Sequence, residues 1–544
     1  MQHAMQTMVP TTTSPAWWRS WLALLVSALF IPPLGAVLLW LRPWPEGAVR
    51  AVVGLTGRLA LTCLLGILTM AYAVRLGIVH MEMAGAGWKP IFTLHNPQKD
   101  QDALEKDRAQ HAAQPSTNLE REAPIALPAD AAPAALAPQT SSAAAIESGG
   151  VGNGTVPRAG AYWTDFRGPK RDGVYTQTPI LTAWPTGGLE LLWRQPIGGG
   201  YASFVVAGSK AYTIEQRRGN ETVAAYDLTT GRELWTNAWP ALFSEAMGGD
   251  GPRATPTWDE GRLYALGAAG ELRCLDAETG RVIWSKNILT DNAAQNLTWG
   301  MSAAPLVVDG KVIVLPGGRN GKSVVAYDKR TGERAWDALN DQQSYTSPMA
   351  VTLAGQRQLL AVSAERILGL RIEDGALLWD HPWVTMYGIN SAQPIVIDSN
   401  HVFVSAGYDH GAALLEITSR EGKFSVRPVW ENRNLKSRFN SSVLHQDHIY
   451  GFDEGIFACL DARTGERKWK AGRYGYGQVL LAGGHLIVLT ESGELVLLRA
   501  TPERHEELSR FPAIEGKTWN HPAISDGILL VRNAREMAAF RLNR

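Results

Sequence analysis

A segment ending in tryptophan recurs from residue 160 onward and constrains what this chain can fold into. Five copies are clear: AAYDLTTGRELW (224–235), RCLDAETGRVIW (273–284), VAYDKRTGERAW (325–336), LGLRIEDGALLW (368–379) and ACLDARTGERKW (458–469). A worn copy, LEITSREGKFSVRPVW (415–430), lies between the last two. Two weaker ones follow, VLLRATPE (496–503) and AAFRLNR (538–544). The equivalent position, small in most copies, is read at Ala225, Cys274, Ala326, Gly369, Glu416, Cys459, Leu497 and Ala539. The mean spacing is about 45 residues. A period of that length marks one supersecondary unit per copy, stacked on its neighbours.

Each copy has a local logic. The apolar run before Asp reads as a buried strand. Asp-x-x-Thr-Gly reads as a tight hairpin, with Asp and Thr satisfying turn backbone groups and Gly taking the positive φ. The next strand ends in Trp, a side chain large enough to wedge between sheets. The expected wedges are Trp193, Trp235, Trp284, Trp336, Trp379, Trp430 and Trp469. Upstream of most copies stands a second hairpin, as in TPTWDEGRLYAL (255–266), APLVVDGKVIVL (304–315) and HPAISDGILLVR (521–532). Two hairpins per period give four strands. The fold class expected over 161–544 is therefore all-β, an eight-bladed β-propeller of four-stranded antiparallel blades. The last copy has no Trp strand, and Leu189–Trp193 has no local partner. That strand is expected to supply the outer edge of the last blade and close the ring. Cys274 and Cys459 then fall four blades apart, on opposite sides, and should not form a disulfide.

The N-terminal region differs. Trp21 to Leu41 carries no charge, and Leu59 to Val79 carries only Arg75. Each is long enough to cross the ~30 Å of a bilayer core, so two transmembrane α-helices are expected, about 21–41 and 59–79, within an anchor over 1–95. Arg42, Arg50 and Arg58 against Glu46 place the 42–58 loop in the cytoplasm and the rest of the chain outside it. The Ala/Pro/Gly-rich stretch 96–160 lacks periodicity and reads as a disordered linker. Lys+Arg and Asp+Glu are both 52, so no net charge draws the chain to nucleic acid. Three cysteines exclude a disulfide scaffold.

The A-x-D-x-x-T-G-x-x-x-W pattern and the opening WTDFRGPKRDG (163–173) resemble the tryptophan-docking repeats of the PQQ-like β-propellers. That family includes quinoprotein dehydrogenases and non-catalytic scaffolds of the BamB type. The resemblance implies two functions. One is a membrane-tethered scaffold that binds envelope proteins. The alternative is a membrane-bound PQQ-dependent alcohol or sugar dehydrogenase that passes electrons to membrane quinone. Either would sit in a bacterial inner membrane with the propeller on the periplasmic side. The enzymes often carry adjacent cysteines beside the cofactor and long insertions around a Ca²⁺ site; this chain has no adjacent pair and near-minimal blades. No cofactor is expected, and PQQ with Ca²⁺ enters only under the alternative. Its possible donors would be Glu245, Asp250, Asp291, Asn292 and Asn296. The scaffolds are lipidated, and here Cys63 lies inside the second apolar run.

No catalytic or metal-binding residue is assigned. His445 and His448 lie on a strand–turn–strand, where their rings need not converge. Gly198–Gly200 and Gly248–Gly249 lack the phosphate-loop Lys. Residues just before each innermost strand would ring the axial mouth: Tyr201, Arg253, Ser302, Tyr345, Asn390, Asn440, Tyr476 and His521. They mix aromatic and hydrogen-bonding groups, as a ligand or partner site would. The same ring could equally be the mouth of a water-filled channel.

Overall fold

The turn in each clear repeat forms as its residues dictate. In this computed structural model, Asp276 Oδ1 accepts from the amides of Glu278 (3.1 Å) and Thr279 (2.8 Å) and from the Thr279 hydroxyl (2.8 Å). Asp328 accepts likewise from Arg330 and Thr331. These bonds, led by the Thr279 hydroxyl at Asp276 and the Thr331 amide at Asp328, hold both carboxyls below the usual Asp range. Gly280 and Gly332 follow with φ of 72° and 74°. A Cβ there would lie 2.4 Å and 2.8 Å from Trp235 and Trp284 of the preceding blade. Glycine thus serves both the turn and the close approach of an indole.

The structure describes residues 161–245 and 247–543, with 48–75, 79–84, 89–93 and positions 37, 39, 102, 105 and 106 upstream. The chain divides into two compact units, Met1–Met83 with Lys89–Lys99, and Ala84–Trp88 with Asp100–Arg544. In the second, eight antiparallel sheets follow one another in chain order. Blades 2 to 6 are consecutive four-stranded meanders, and blade 7 is such a meander with a fifth, parallel strand on its inner edge. Their inner strands are Thr257–Asp259 (blade 2), Leu306–Val308 (3), Met349–Leu353 (4), Ile395–Val396 (5), Val443–His445 (6) and Gln478–Ala482 (7). Blade 1 starts at Val205–Ala207 and blade 8 at Ala523–Ser525. The outermost strand of blade 8 is Glu190–Pro196, pairing Trp193 with Ala539, so the ring closes with the N-terminal strand as expected. The core is divided among the interfaces between blades, and its largest cluster runs through blades 7, 8 and 1.

A bulge recurs at one register position in every blade, where the small residue faces the Trp. Ala225, Cys274, Ala326, Gly369 and Cys459 oppose Trp235, Trp284, Trp336, Trp379 and Trp469. In blade 5 the residue at this position is Leu414, opposite Trp430, and Glu416 lies two residues on. The worn copy lacks the Asp-x-x-Thr-Gly turn and closes in a two-residue turn farther out. Its strands Gly411–Arg420 and Lys423–Asn432 run on to a tip at Glu421–Gly422, which displaces the alignment. Cys274 and Cys459 are free and buried, and burial pushes their thiols up to about 11 and about 12.

Six of the seven expected tryptophans dock alike. Trp193, Trp235, Trp284, Trp336 and Trp430 each donate Nε1–H to the carbonyl just after the turn Asp, or its equivalent, of the next blade (Leu228, Ala277, Lys329, Ile372 and Ala462), and Trp469 donates to Thr501, one residue further on in blade 7, all at 2.9–3.2 Å. Trp379 departs from the pattern. It donates within its own blade to Gln358 Oε1 (2.5 Å). The corresponding carbonyl in blade 5, Ile417, is already held by Asn400 Nδ2 (2.9 Å). Eight junctions need eight wedges, and the outer strand of blade 7 offers only Ser509 opposite Leu497. Trp184, from the segment before the ring, fills that place. It stacks edge-on against Phe511 at 5.7 Å, and Leu181 N–H takes the docking carbonyl of Leu542 (2.6 Å).

Upstream, a helix spans Ala48–Arg75, and its Leu55–Ala73 stretch is long and apolar enough to cross a membrane. It starts earlier and ends sooner than the expected 59–79, so Arg50 and Arg58, read as loop residues, lie on the helix. His80–Ala84 and Lys89–Thr93 pair as a short hairpin. The span expected at 21–41 and the linker expected over 96–160 lie outside the described residues, apart from positions 37, 39, 102, 105 and 106.

Candidate functional site

The axis of the ring is filled from within the chain. Ala161–Trp163 pairs with the inner strand of blade 1, and Val174–Tyr175 adds in parallel to the inner strand of blade 7. The loop between them, which carries the family-like opening, enters the centre. Arg171 Nη1 donates to the carbonyls of Ala304 (3.2 Å) and Pro348 (2.9 Å). Its Nη2 donates to Pro305 O (2.5 Å), Thr257 Oγ1 (3.2 Å) and Asp165 Oδ1 (3.0 Å). One guanidinium thereby ties blades 2, 3 and 4. Arg167 donates to Ser442 O of blade 6 (2.8 Å), and Phe166 meets His521 of blade 8 edge-on at 5.0 Å. Burial lowers the pKa of Arg167 to about 10 and holds His521 well below the usual imidazole range, so His521 is neutral. The loop thus occupies the axis, tied to blades 2, 3, 4 and 6 and packed on blade 8.

Hydroxyls hoop the strand starts together. Ser203 N, Ala304 N and Gln393 N donate to the Thr255, Ser347 and Ser441 hydroxyls of the next blade, at 2.9–3.0 Å. The Ser203 hydroxyl donates to His521 O across the seam between blades 8 and 1 (2.6 Å). That seam also buries Arg532, whose guanidinium reaches Thr213, Ile214 O and Gly198 O.

Beyond the plug lies a mouth lined with aromatic rings. Tyr201, Trp519, Phe439 and Tyr476 follow in sequence with centroids 5.4, 4.4 and 4.9 Å apart. Lys517 lies over Trp519 (4.3 Å), Arg438 over Tyr408 (4.6 Å) and Tyr476 (5.0 Å), and Arg253 over Phe243 (4.6 Å) and Tyr201 (5.6 Å). Three carboxylates balance these cations. Glu245 pairs with Arg253 (3.3 Å) and Glu454 with Arg438 (3.1 Å), while Glu491 accepts from Trp519 Nε1 (2.8 Å).

Of the residues expected at the mouth, Tyr201, Arg253 and Tyr476 belong to this wall. Tyr345 faces Trp299 (5.9 Å), its hydroxyl pushed up to about 12 by burial, and Ser302 donates to Tyr345 O (3.2 Å). Asn440 and His521 lie deeper and are buried. Asn390 ties its loop to blade 4, its Nδ2 donating to Ser363 O in the hairpin between Gln356–Val362 and Arg366–Leu370 (2.9 Å). The sequence reading missed Trp519, Phe439, Arg438 and Lys517, and the plug residues Phe166, Arg167 and Arg171. Trp519 and Phe439 stand one residue before Asn520 and Asn440, so the repeat alignment carried that signal.

The donors considered for Ca²⁺ do not converge. Glu245 is engaged by Arg253 and by the amides of Met247 and Gly248. Asp291 binds Arg334 (2.8 Å) and the Tyr327 hydroxyl (2.6 Å) between blades 2 and 3. Asn292 and Asn296 donate to the backbone oxygens of Ile288 and Ala268. His445 and His448 oppose each other across a two-residue turn. Among the described residues no group of three His, Cys, Asp or Glu is placed to hold a metal.

The fold and site define the class: a ring of eight blades locked by docked indoles, plugged on its axis. A family model described as outer membrane protein assembly factor BamB matches residues 219–471. The chain is 25% identical over 313 residues to outer membrane protein assembly factor BamB of Burkholderia pseudomallei (strain K96243), covering 55% of this chain and 74% of that protein. It is 33% identical over 125 residues to quinohemoprotein alcohol dehydrogenase of Comamonas testosteroni, covering 21% of this chain and 16% of the enzyme. The crystal structure of BamB from Moraxella catarrhalis aligns at a TM-score of 0.47 and 17% identity, over 65% of this chain and 98% of that one. Together with the eight-bladed fold, the sequence matches support the PQQ-like propeller family.

Proposed function

We propose that this chain is a membrane-tethered, cofactor-free propeller that binds protein partners in the cell envelope. The observation that carries this reading is the placement of exposed apolar side chains. Leu242 (60% exposed) and Met247 lie on the loop from blade 1 to blade 2. Val384 (67%), Met386 and Tyr387 (78%) lie on the loop from blade 4 to blade 5. Both loops join an outermost strand to the next innermost strand, so they share the face of the aromatic mouth. Large apolar groups gathered on one face of a rigid ring are what a protein-binding surface offers. The similarity to a BamB over most of its length agrees with this, as does the apolar helix Leu55–Ala73 as a tether. The tether would be completed by the run at 21–41, with the propeller on the periplasmic side of the inner membrane.

The second reading is a PQQ-dependent dehydrogenase. It draws on the short dehydrogenase matches and on Arg253 and Lys517 flanking Tyr201, which could meet a planar anion. One experiment separates the two. A photo-crosslinking amino acid placed at Met386 in cells should give a discrete protein adduct, and the same group at the exposed outer-strand position Arg427 should give none. Stoichiometric PQQ binding with Ca²⁺ and dye-linked oxidation of alcohols or sugars would overturn the scaffold reading.

A further inference from the structure

The ring of strand starts is filled unevenly. On the side of blades 2 to 4, backbone carbonyls and one hydroxyl are met by the guanidinium of Arg171. On the side of blades 5 to 8, side-chain amides take their place. Gln393 Nε2 donates to Ser347 O (2.7 Å), Gln478 Nε2 to Trp519 O (2.8 Å), and Asn520 Nδ2 to Ala202 O (3.0 Å) and Gly200 O (3.2 Å). A backbone carbonyl can only accept, so the NH₂ end of each amide is fixed and the remaining atom is oxygen. All three oxygens are buried without a partner, as are both amide atoms of Asn440 and Nδ1 of His521. In the imidazole tautomer protonated at Nε2, Nδ1 of His521 accepts. A buried acceptor without a donor costs about 1–3 kcal/mol, and such atoms are scarce in native folds. Here they gather in four consecutive blades around one axis.

We propose that this half-ring binds a cationic donor group, a guanidinium or alkylammonium, presented through the aromatic mouth. Amide oxygens lead the unfilled atoms, with Asn440 Nδ2, Arg167 Nε and the Ser442 hydroxyl as the donors among them, and oxygens match a cation with several N–H groups and not an anion. The axis already holds two such groups, Arg171 on the side of blades 2 to 4 and Arg167 at Ser442 O of blade 6. The approach passes Tyr201, Trp519, Phe439 and Tyr476, whose faces attract cations, with the carboxylates of Glu454 and Glu491 beside them. The plug's own charges are compensated locally: Arg171 by Asp165, and Arg167 by the neighbouring carboxylate of Asp172. This inference stands apart from the choice between scaffold and enzyme.

The test uses the full chain in lipid nanodiscs, titrated with propylguanidinium and followed by calorimetry and tryptophan fluorescence. Saturable one-to-one binding is expected, with the neutral isostere propylurea at least about tenfold weaker. Asn440→Leu should weaken propylguanidinium about tenfold. Since neither amide atom of Asn440 bonds to the protein, the fold loses no hydrogen bond. Gln478→Leu provides a second variant with the same expectation. A parallel titration with acetyl-Gly-Arg-Gly-amide distinguishes sources: tighter binding than propylguanidinium assigns the site to an arginine of a partner, weaker binding to a free small guanidine. No binding up to about 10 mM, equal binding of propylurea, or no effect of Asn440→Leu would overturn the proposal and leave water as the occupant.

Discussion

A guanidinium suits the centre of a propeller because it is planar, always charged and offers five donors in a fixed fork. Arg171 uses that fork on the carbonyls of Ala304 and Pro305, which lead into blade 3, and of Pro348, which leads into blade 4; carbonyls only accept and cannot satisfy one another. Burial lowers its pKa and raises that of Asp165, while each charge steadies the other. Arg171→Leu would leave Asp165 uncompensated and the carbonyls without donors. The expected loss is about 3–5 kcal/mol in urea unfolding of the full chain. Arg171→Lys should recover only part of it, since one ammonium cannot span carbonyls arranged for a fork. A loss under 1 kcal/mol would mean that the plug does not bind the blades together.

At the scale of elements, the docked indole and its turn form the joint between blades. The joint has a covalent logic in the sequence, since Asp, Thr and Gly build the turn that displays the carbonyl. The junction between blades 4 and 5 departs from it. Trp379 is 4% exposed and bonds Gln358, which is wholly buried. Trp284 is more exposed and bonds Lys329 O. Trp284→Phe should therefore cost about 1 kcal/mol, because the Lys329 carbonyl keeps the Tyr264 hydroxyl as a donor (2.9 Å). Trp379→Phe should cost about 2–3 kcal/mol, because Gln358 Oε1 is left buried and unpaired. Paired denaturation curves check the order, and a larger loss at Trp284 would contradict it.

For the whole molecule, closure has two parts. Glu190–Pro196 completes blade 8, and Trp184 fills the junction that the repeats leave without an indole. Trp184→Ala should cost about 3–5 kcal/mol although the residue lies outside every repeat; a loss near zero would show that the junction closes without it. Much of this architecture was legible beforehand. The repeat is local and periodic, so residues 224–235 or 458–469 each announce a strand, a turn and a strand on their own. The unpaired Leu189–Trp193 could be assigned because one strand was missing elsewhere. The mouth was legible only in part. Positions before the inner strands were marked, but Phe439, one residue before Asn440, and Trp519, two before His521, were not. By itself the sequence determined the number of blades, the hairpin that joins their outer strands and the strand that shuts the ring, because these follow from spacing and short-range chemistry. Only the tertiary structure decided that 163–173 enters the axis, that Trp184 serves as the eighth wedge and that the acceptors of Gln393, Gln478 and Asn520 stay unfilled. Those contacts join residues far apart in the chain, such as Arg167 and Ser442, and a segment without periodicity carries no local sign of the partners it will meet.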